Sequence, residues 1–191
     1  MDAQSSNAKM ARETLEPLVG EWTVEASFPD APSNKVIGRT TFEWMLNGEY
    51  LMQRSEVSHP DAPNSFTIMA PDSTSQGFIQ HYFDSRGVSR LYEMTFGDGI
   101  WTLLRTRADF SPLDFSQRFT GTFNQGKDVI WGGWEHSTDT STWESDFEMT
   151  FRKLLKLESL PQALSRRADS PGPSTSTPPA APRRANGGTS A

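Results

Sequence analysis

The stretch TWESDFEMTFR at residues 142–152 carries the clearest structural signal in this sequence. Trp143, Ser145, Phe147, Met149 and Phe151 alternate with acidic, polar or basic residues. An alternation with a period of two is that of a β-strand, in which successive side chains point to opposite faces. The pattern predicts a strand with one dry face and one wet face, which is typical of an antiparallel sheet.

Similar segments recur through the preceding chain at short, even spacing. We predict ten strands, at residues 21–29, 35–46, 49–59, 66–71, 76–84, 88–96, 100–107, 116–124, 128–136 and 142–152. Connections such as Asn47-Gly48 and Asp98-Gly99 tolerate the positive φ of tight hairpin turns. The predicted fold class is therefore all-β, a roughly ten-stranded antiparallel up-and-down meander. A meander of this length closes into a β-barrel, because closure removes its exposed edges.

A short helix precedes the first strand. Met10, Leu15 and Leu18 form an apolar stripe in the segment AKMARETLEPLVG, which Pro17 closes together with the glycine at position 20. We expect that glycine to turn the chain tightly into strand one, with Trp22 directed inward across the floor of the barrel. The helix is then a plug or lid at that end.

The composition divides the chain into two parts. Residues 1–157 make up the predicted barrel with its N-terminal helix. Residues 158–191 are predicted to form a short helical extension and a disordered tail rich in Pro, Ser and Thr. Such a tail has too few large apolar side chains to offset the loss of chain entropy on folding.

The overall charge and residue content narrow the class of partner. The chain has 18 basic and 24 acidic residues, a net charge of -6, and no cysteine. An acidic protein does not attract nucleic acid, and a chain without cysteine has no disulfides or thiolate sites. No signal peptide or membrane span is apparent. We expect a cytoplasmic monomer or homodimer with no nucleic-acid or membrane partner.

Five segments resemble a bacterial lipocalin-like family of unknown function, related in fold to nitrobindins and fatty-acid-binding proteins. They are LEPLVGEW (15–22), FEWMLNGEYLMQRSE (42–56), HYFDSRGVSRLYEM (81–94), FSQRFTGTF (115–123) and STWESDFEMTFRK (141–153). The first contains a G-x-W motif like that of lipocalins. The resemblance implies a lipocalin or calycin-like barrel that encloses a small apolar or amphipathic ligand. Nitrobindins bind haem through a His near the C-terminal end of the barrel, whereas the last predicted strand here has no His and the nearest is His136.

The candidate ligand-binding residues are polar side chains in rows that read as inward-facing, together with aromatic side chains suited to wall a pocket. The arginines among them are Arg54, Arg90 and Arg105. The other members are Trp44, Tyr92, Trp101, Trp134 and His136. An inward Arg suits a carboxylate or phosphate because its planar fork pairs bidentately. The alternative is that these arginines only stabilise the barrel by pairing with Glu56, Glu93 or Asp146.

The sequence favours binding of a small hydrophobic or amphipathic molecule in the barrel, its head group held by an inward Arg. A cyclase or isomerase that shapes a flexible substrate in the same cavity is the first alternative. Haem binding of the nitrobindin kind is the second. No catalytic residue is identified, and no metal or cofactor is predicted, because the histidines lack metal-binding spacing. Whether the protein is an enzyme stays open.

Overall fold

The computed structural model describes residues 3–75 and 77–155, with side chains from residue 9 onward. Helix α1 spans Ala3–Leu15, and one turn of 3-10 helix follows at Glu16–Leu18. The strands are β1 Gly20–Phe28, β2 Ala31–Met45, β3 Tyr50–Val57, β4 Ser65–Pro71, β5 Phe78–Asp84, β6 Ser89–Gly97, β7 Ile100–Arg105, β8 Ser116–Phe123, β9 Val129–Ser137 and β10 Glu144–Lys153. The predicted extension and tail at 158–191 lie outside the described residues.

The ten strands form one closed antiparallel barrel. Each strand pairs with its neighbours in the chain, and β1 pairs with β10, from Trp22 opposite Lys153 to Ser27 opposite Glu148. The predicted all-β, up-and-down barrel with a short N-terminal helix is therefore confirmed. Strand boundaries agree with the prediction to within two residues, except that β2 begins four residues earlier. The helix of the described residues is too short to cross a membrane.

The N-terminal helix marks one end of the barrel, which we call the floor. Leu15 and Leu18 are buried there, and the indole N–H of Trp22 donates to the Leu18 carbonyl at 2.7 Å. Gly20 has a φ of 122°, which a glycine adopts without strain and which allows the turn into β1. Arg12 on α1 donates to the carbonyl of Gly48, in the β2–β3 connection, at 2.8 Å. The loops at 58–64, 85–88, 106–115 and 138–143 lie at the other end, which we call the mouth.

Large apolar side chains fill the lower half of the barrel, next to the floor. Trp101 packs against Phe42, Phe119 and Phe151, with ring centroids 5.1–6.1 Å apart. The other buried side chains of this core include Trp22, Leu51, Met69, Phe78, Met94, Leu103 and Ile130. Burial of such side chains is the main stabilising contribution to the fold, at about 25 cal/mol for each Å² of apolar surface removed from water.

In the upper half of the barrel, next to the mouth, the inward side chains of strands β1 to β4 are small. Strands β1 to β4 place Val24, Ala26, Gly38, Ser55 and Ser65 on the same face as the buried core residues. All five are partly accessible to solvent, although they face inward. Strands β1 to β4 therefore carry less side-chain volume near the mouth than near the floor.

Strand β10 departs from the predicted alternation at its start. A bulge between Ser145 and Phe147 shifts the register against β9, so that only Phe147, Met149 and Phe151 keep the inward face. Trp143 lies outside the barrel, 4.4 Å from the guanidinium of Arg118. The expectation that Trp143 and Ser145 share the dry face is wrong, because the extra residue of a bulge reverses the faces on one side of it.

Candidate functional site

Arg90 is an inward-facing cation at the mouth. It shares a face of β6 with Tyr92 and Met94, which are buried, and is itself half-buried. Its guanidinium donates to Oε1 of Gln117 on β8 and lies 5.4 Å from the ring centroid of Phe115. Both partners are neutral, and among the described residues Arg90 forms no ion pair with a carboxylate.

Tyr92 fixes the same amide. Its hydroxyl donates to Oε1 of Gln117 at 3.0 Å, so this oxygen accepts from both Tyr92 and Arg90. Burial raises the pKa of Tyr92, which keeps the hydroxyl protonated and able to donate. The Tyr92 ring also packs edge-to-face with Trp134, with centroids 5.5 Å apart. Tyr92, Gln117 and Trp134 thus contact one another in the layer of side chains directly below Arg90.

A pocket of about 290 Å³ opens beside Arg90. It lies between the β5–β6 turn and the 106–115 loop. Its polar lining residues are Ser89, Arg90, Arg105, Ser111 and Asp114. A second pocket, of about 330 Å³, lies near the mouth beside β3, β4 and β5, and its lining includes Arg54, Glu56, Phe66 and Phe83.

Arg105 also faces inward, but its guanidinium is already paired with a carboxylate of the protein. Its side chain is 3 % exposed, and its Nε and Nη2 donate to the Oδ2 and Oδ1 atoms of Asp109 at 2.8 and 3.0 Å. The Arg105 hydrogen bonds lower the pKa of the Asp109 carboxyl, which also accepts from the Leu91 amide at 2.8 Å. The partner is therefore in the 106–115 loop, and not one of the three carboxylates considered from the sequence. Arg105 holds this loop in place.

Arg54 lies on the outer face of the barrel. Leu51 and Gln53 are the buried residues of β3, and Arg54 is exposed. Directly opposed residues on antiparallel strands share a face, and Gln53 lies opposite Phe42, whose side chain is fully buried. The expected inward orientation of Arg54 is therefore wrong.

Two of the predicted aromatic residues lie toward the floor. The Trp44 indole N–H donates to Oε2 of Glu16, beside the N-terminal helix, at 3.1 Å. Trp101 is packed among core phenylalanines, and its indole N–H has no hydrogen-bond partner among the described residues. Neither side chain lines the pocket beside Arg90.

His136 lies on β9, three strands from Arg90, and both side chains contact Phe115. Its Cα pairs with Gln117 in the β8–β9 register, and its ring packs edge-to-face against Phe115 at 6.4 Å. Nε2 is 3.7 Å from a Glu144 carboxylate oxygen, and the imidazole is 37 % exposed. The structure thus brings four predicted residues together around Gln117: Arg90, Tyr92, Trp134 and His136.

A buried band of neutral polar side chains was not predicted from the sequence. The Thr67 hydroxyl donates to Oε1 of Gln53 at 3.2 Å, and Nε2 of Gln53 donates to the Ser55 hydroxyl at 3.3 Å. The hydroxyls of Ser55 and Thr40 are 2.8 Å apart. Gln80, on β5, is 3 % exposed, and its Oε1 has no hydrogen-bond partner. The available signal is a polar residue two positions from a core residue, as in Leu51-x-Gln53 and Phe78-x-Gln80.

Part of the chain is similar to a protein family that has no assigned function. Residues 7–97 match the sequence profile of a family described as protein of unknown function (DUF1579). No curated protein matches the sequence. The crystal structure of Rv2717c from M. tuberculosis is similar, with a TM-score of 0.52 and 11% identity, over 76% of this chain and 98% of that one.

A second solved structure, a protein of unknown function from the DUF3598 family of Nostoc punctiforme PCC 73102, matches with a TM-score of 0.49 and 12% identity. That match covers 73% of this chain and 49% of the Nostoc chain, so this chain spans about half of its length. At such identities a structural likeness concerns the fold alone. A particular relation to nitrobindins or fatty-acid-binding proteins stays a prediction. The chain is thus similar over residues 7–97 to a family of unknown function, and its barrel is similar in fold to Rv2717c.

Proposed function

We propose that this protein binds a small amphipathic molecule in the upper half of its barrel, with the anionic head group held by Arg90. The observation that carries the proposal is the half-buried Arg90 guanidinium at the mouth, whose partners are Gln117 and Phe115. A cation partly withdrawn from water loses solvation that neutral partners replace only in part. An anionic ligand would supply the missing charge.

The charges around the pocket favour a carboxylate with a single negative charge. Arg90 and Arg105 both line the pocket, but Asp109 neutralises Arg105, and Asp114 is an acidic residue of the same lining. A dianion such as a phosphate would meet one unpaired cation and one nearby anion. A carboxylate matches the single free guanidinium and its planar fork.

The inward side chains of β9, β10 and β1 suit an apolar tail. Trp134 and Phe147 stack there with ring centroids 6.3 Å apart, and Val24 and Ala26 on β1 are small and partly accessible. Arg90, Tyr92 and Gln117 supply the inward polar groups on β6 and β8. Inward side chains that are polar on some strands and apolar on others favour an amphipathic ligand over a wholly apolar one.

The test compares octanoate with octan-1-ol, which has the same chain and a neutral head group. We expect calorimetric titration to show octanoate binding at least about tenfold more tightly, because a hydrogen bond to a charged group contributes about 1.5–3 kcal/mol. Arg90→Met should abolish the difference. Arg54→Met is the matched control, because it removes an arginine from the outer face, and it should leave the difference unchanged.

Equal affinity of the wild-type protein for both compounds would overturn the proposal. So would a loss of octanoate binding in Arg54→Met as large as that in Arg90→Met, because the effect would then come from net charge and not from the site.

A further inference from the structure

Gln80 has an unused hydrogen-bond acceptor inside the barrel. Its side chain is 3 % exposed, and Oε1 has no partner among the described residues. A buried acceptor without a partner costs about 1–3 kcal/mol, so proteins rarely retain one. The neighbouring Gln53, on β3, has both ends of its amide paired.

The hydroxyl oxygen of Thr67 is a second free acceptor near Gln80, because the Thr67 proton is already donated to Gln53. Thr67 donates its only hydroxyl proton to Gln53, and Thr40 donates its own to the Arg54 carbonyl at 3.1 Å. The Thr67 oxygen therefore keeps acceptor capacity. In the β4–β5 register Thr67 lies opposite Tyr82 and is thus a diagonal neighbour of Gln80 on the same face.

The register also fixes how far this acceptor pair lies below Arg90. Gln80 is opposite Tyr92, which is two residues from Arg90 along β6. Two residues of a strand correspond to about 7 Å along the barrel wall. A molecule held at its head group by Arg90 reaches the layer of Gln80 after a short chain.

We propose that Gln80 and Thr67 form a second polar subsite, which accepts a hydrogen bond from a hydroxyl group of the ligand. This inference rests on the proposed function and narrows the ligand to a hydroxylated carboxylic acid whose hydroxyl lies about 7 Å from its carboxylate. A hydroxyl fits better than an ammonium group, because no side chain of the buried polar band around Gln80 is a carboxylate that could neutralise a buried cation.

The test uses three ligands in the same calorimetric experiment: octanoate, 6-hydroxyoctanoate and 3-hydroxyoctanoate. We expect the 6-hydroxy acid to bind about three- to tenfold more tightly than octanoate, which is the gain from one added hydrogen bond. The 3-hydroxy acid carries the same group close to the carboxylate and should show no gain. Gln80→Met should remove the preference while keeping octanoate affinity within about twofold of wild type.

A second measurement needs no ligand. Gln80→Met removes an unpaired acceptor, so the melting temperature of the free protein should stay equal or rise. Gln53→Met is the contrasting variant, because it removes the acceptor of the Thr67 hydroxyl and one of the two hydrogen bonds of Ser55, and its melting temperature should fall.

Three results would overturn the inference. The first is equal binding of all three acids with Arg90 dependence intact, which would leave the proposed function standing and remove this subsite. The second is a fall in melting temperature for Gln80→Met as large as for Gln53→Met. The third is that no acid binds the wild-type protein, in which case the proposed function fails and this inference fails with it.

Discussion

At the scale of single residues, Gly132 and Gly133 on β9 are adjacent in sequence and differ in surroundings. A Cβ atom on Gly132 would lie 2.4 Å from the Phe119 ring, whereas one on Gly133 would meet nothing within 4 Å. Overpacking a core costs about 1–3 kcal/mol. We predict that Gly132→Ala lowers the free energy of unfolding by about this amount in urea denaturation, and that Gly133→Ala changes it by less than about 0.5 kcal/mol. Equal effects of the two variants would contradict this packing.

The orientation of single arginines shows how far the sequence determines the candidate site. Arg90 is inward as predicted, because Tyr92 and Met94 mark the face of β6 without ambiguity. The β3 segment YLMQR has large side chains on both faces, so its pattern allows either orientation of Arg54. The register with β2 resolves it by placing Gln53 opposite Phe42, and this pairing is a tertiary contact that alternation alone does not contain.

The role of Arg105 also depends on tertiary structure. Its inward position follows from Trp101 and Leu103, but its partner Asp109 lies in a loop with no periodic pattern. In β7, alternation therefore indicates that Arg105 enters the barrel, but it does not indicate that a carboxylate already neutralises it.

At the scale of elements, the 106–115 loop depends on the buried Arg105–Asp109 pair. Breaking a buried ion pair costs about 3–5 kcal/mol, because the remaining charge is left without a partner. We predict a loss of about 3 kcal/mol of unfolding free energy for Asp109→Asn. Faster hydrogen exchange is expected at the Leu91 amide, which donates to Asp109. Glu93→Gln is the control, because its pair with Arg107 is exposed, and it should change stability by less than about 1 kcal/mol.

The same pair predicts a dependence on pH. Asp109 has a lowered pKa in the folded protein, so its contribution to stability is present at neutral pH and is lost as the pH falls from 3.8 toward that lower value. The stability difference between wild type and Asp109→Asn should therefore shrink in denaturation experiments as the pH is lowered below 3.8. A difference that stays constant from neutral to acidic pH would show that the carboxylate is not the source of the stabilisation.

The strands themselves are largely predictable from the sequence, and the exceptions have local causes. Hairpin turns with Gly and Asn bound most strands, which is why their ends agree with the structure. The bulge in β10 leaves no trace in the alternation of Ser145 and Phe147, because both residues fit either face of a pattern read from sequence alone. Trp143 therefore lies outside the barrel, stacked on Arg118.

At the scale of the whole molecule, closure follows from the number of strands, but the distribution of side-chain volume does not. The pairing of β1 with β10 joins segments more than a hundred residues apart. The lower half is filled by rings such as Trp22, Phe42 and Trp101, whereas the upper half has small side chains on β1 to β4. This asymmetry explains why Trp44 and Trp101, which were predicted to bind ligand, lie toward the floor, while Arg90 lies at the mouth.

We propose that the upper half of the barrel holds an amphipathic anion. A crystal structure of the protein saturated with octanoate would show where such an anion binds. We expect the carboxylate at about 2.7–2.9 Å from the Arg90 guanidinium nitrogens, with the chain along Trp134 and Phe147. Octanoate bound only on the outer face beside Phe66 and Phe83, or a barrel interior without octanoate at saturating concentration, would contradict it.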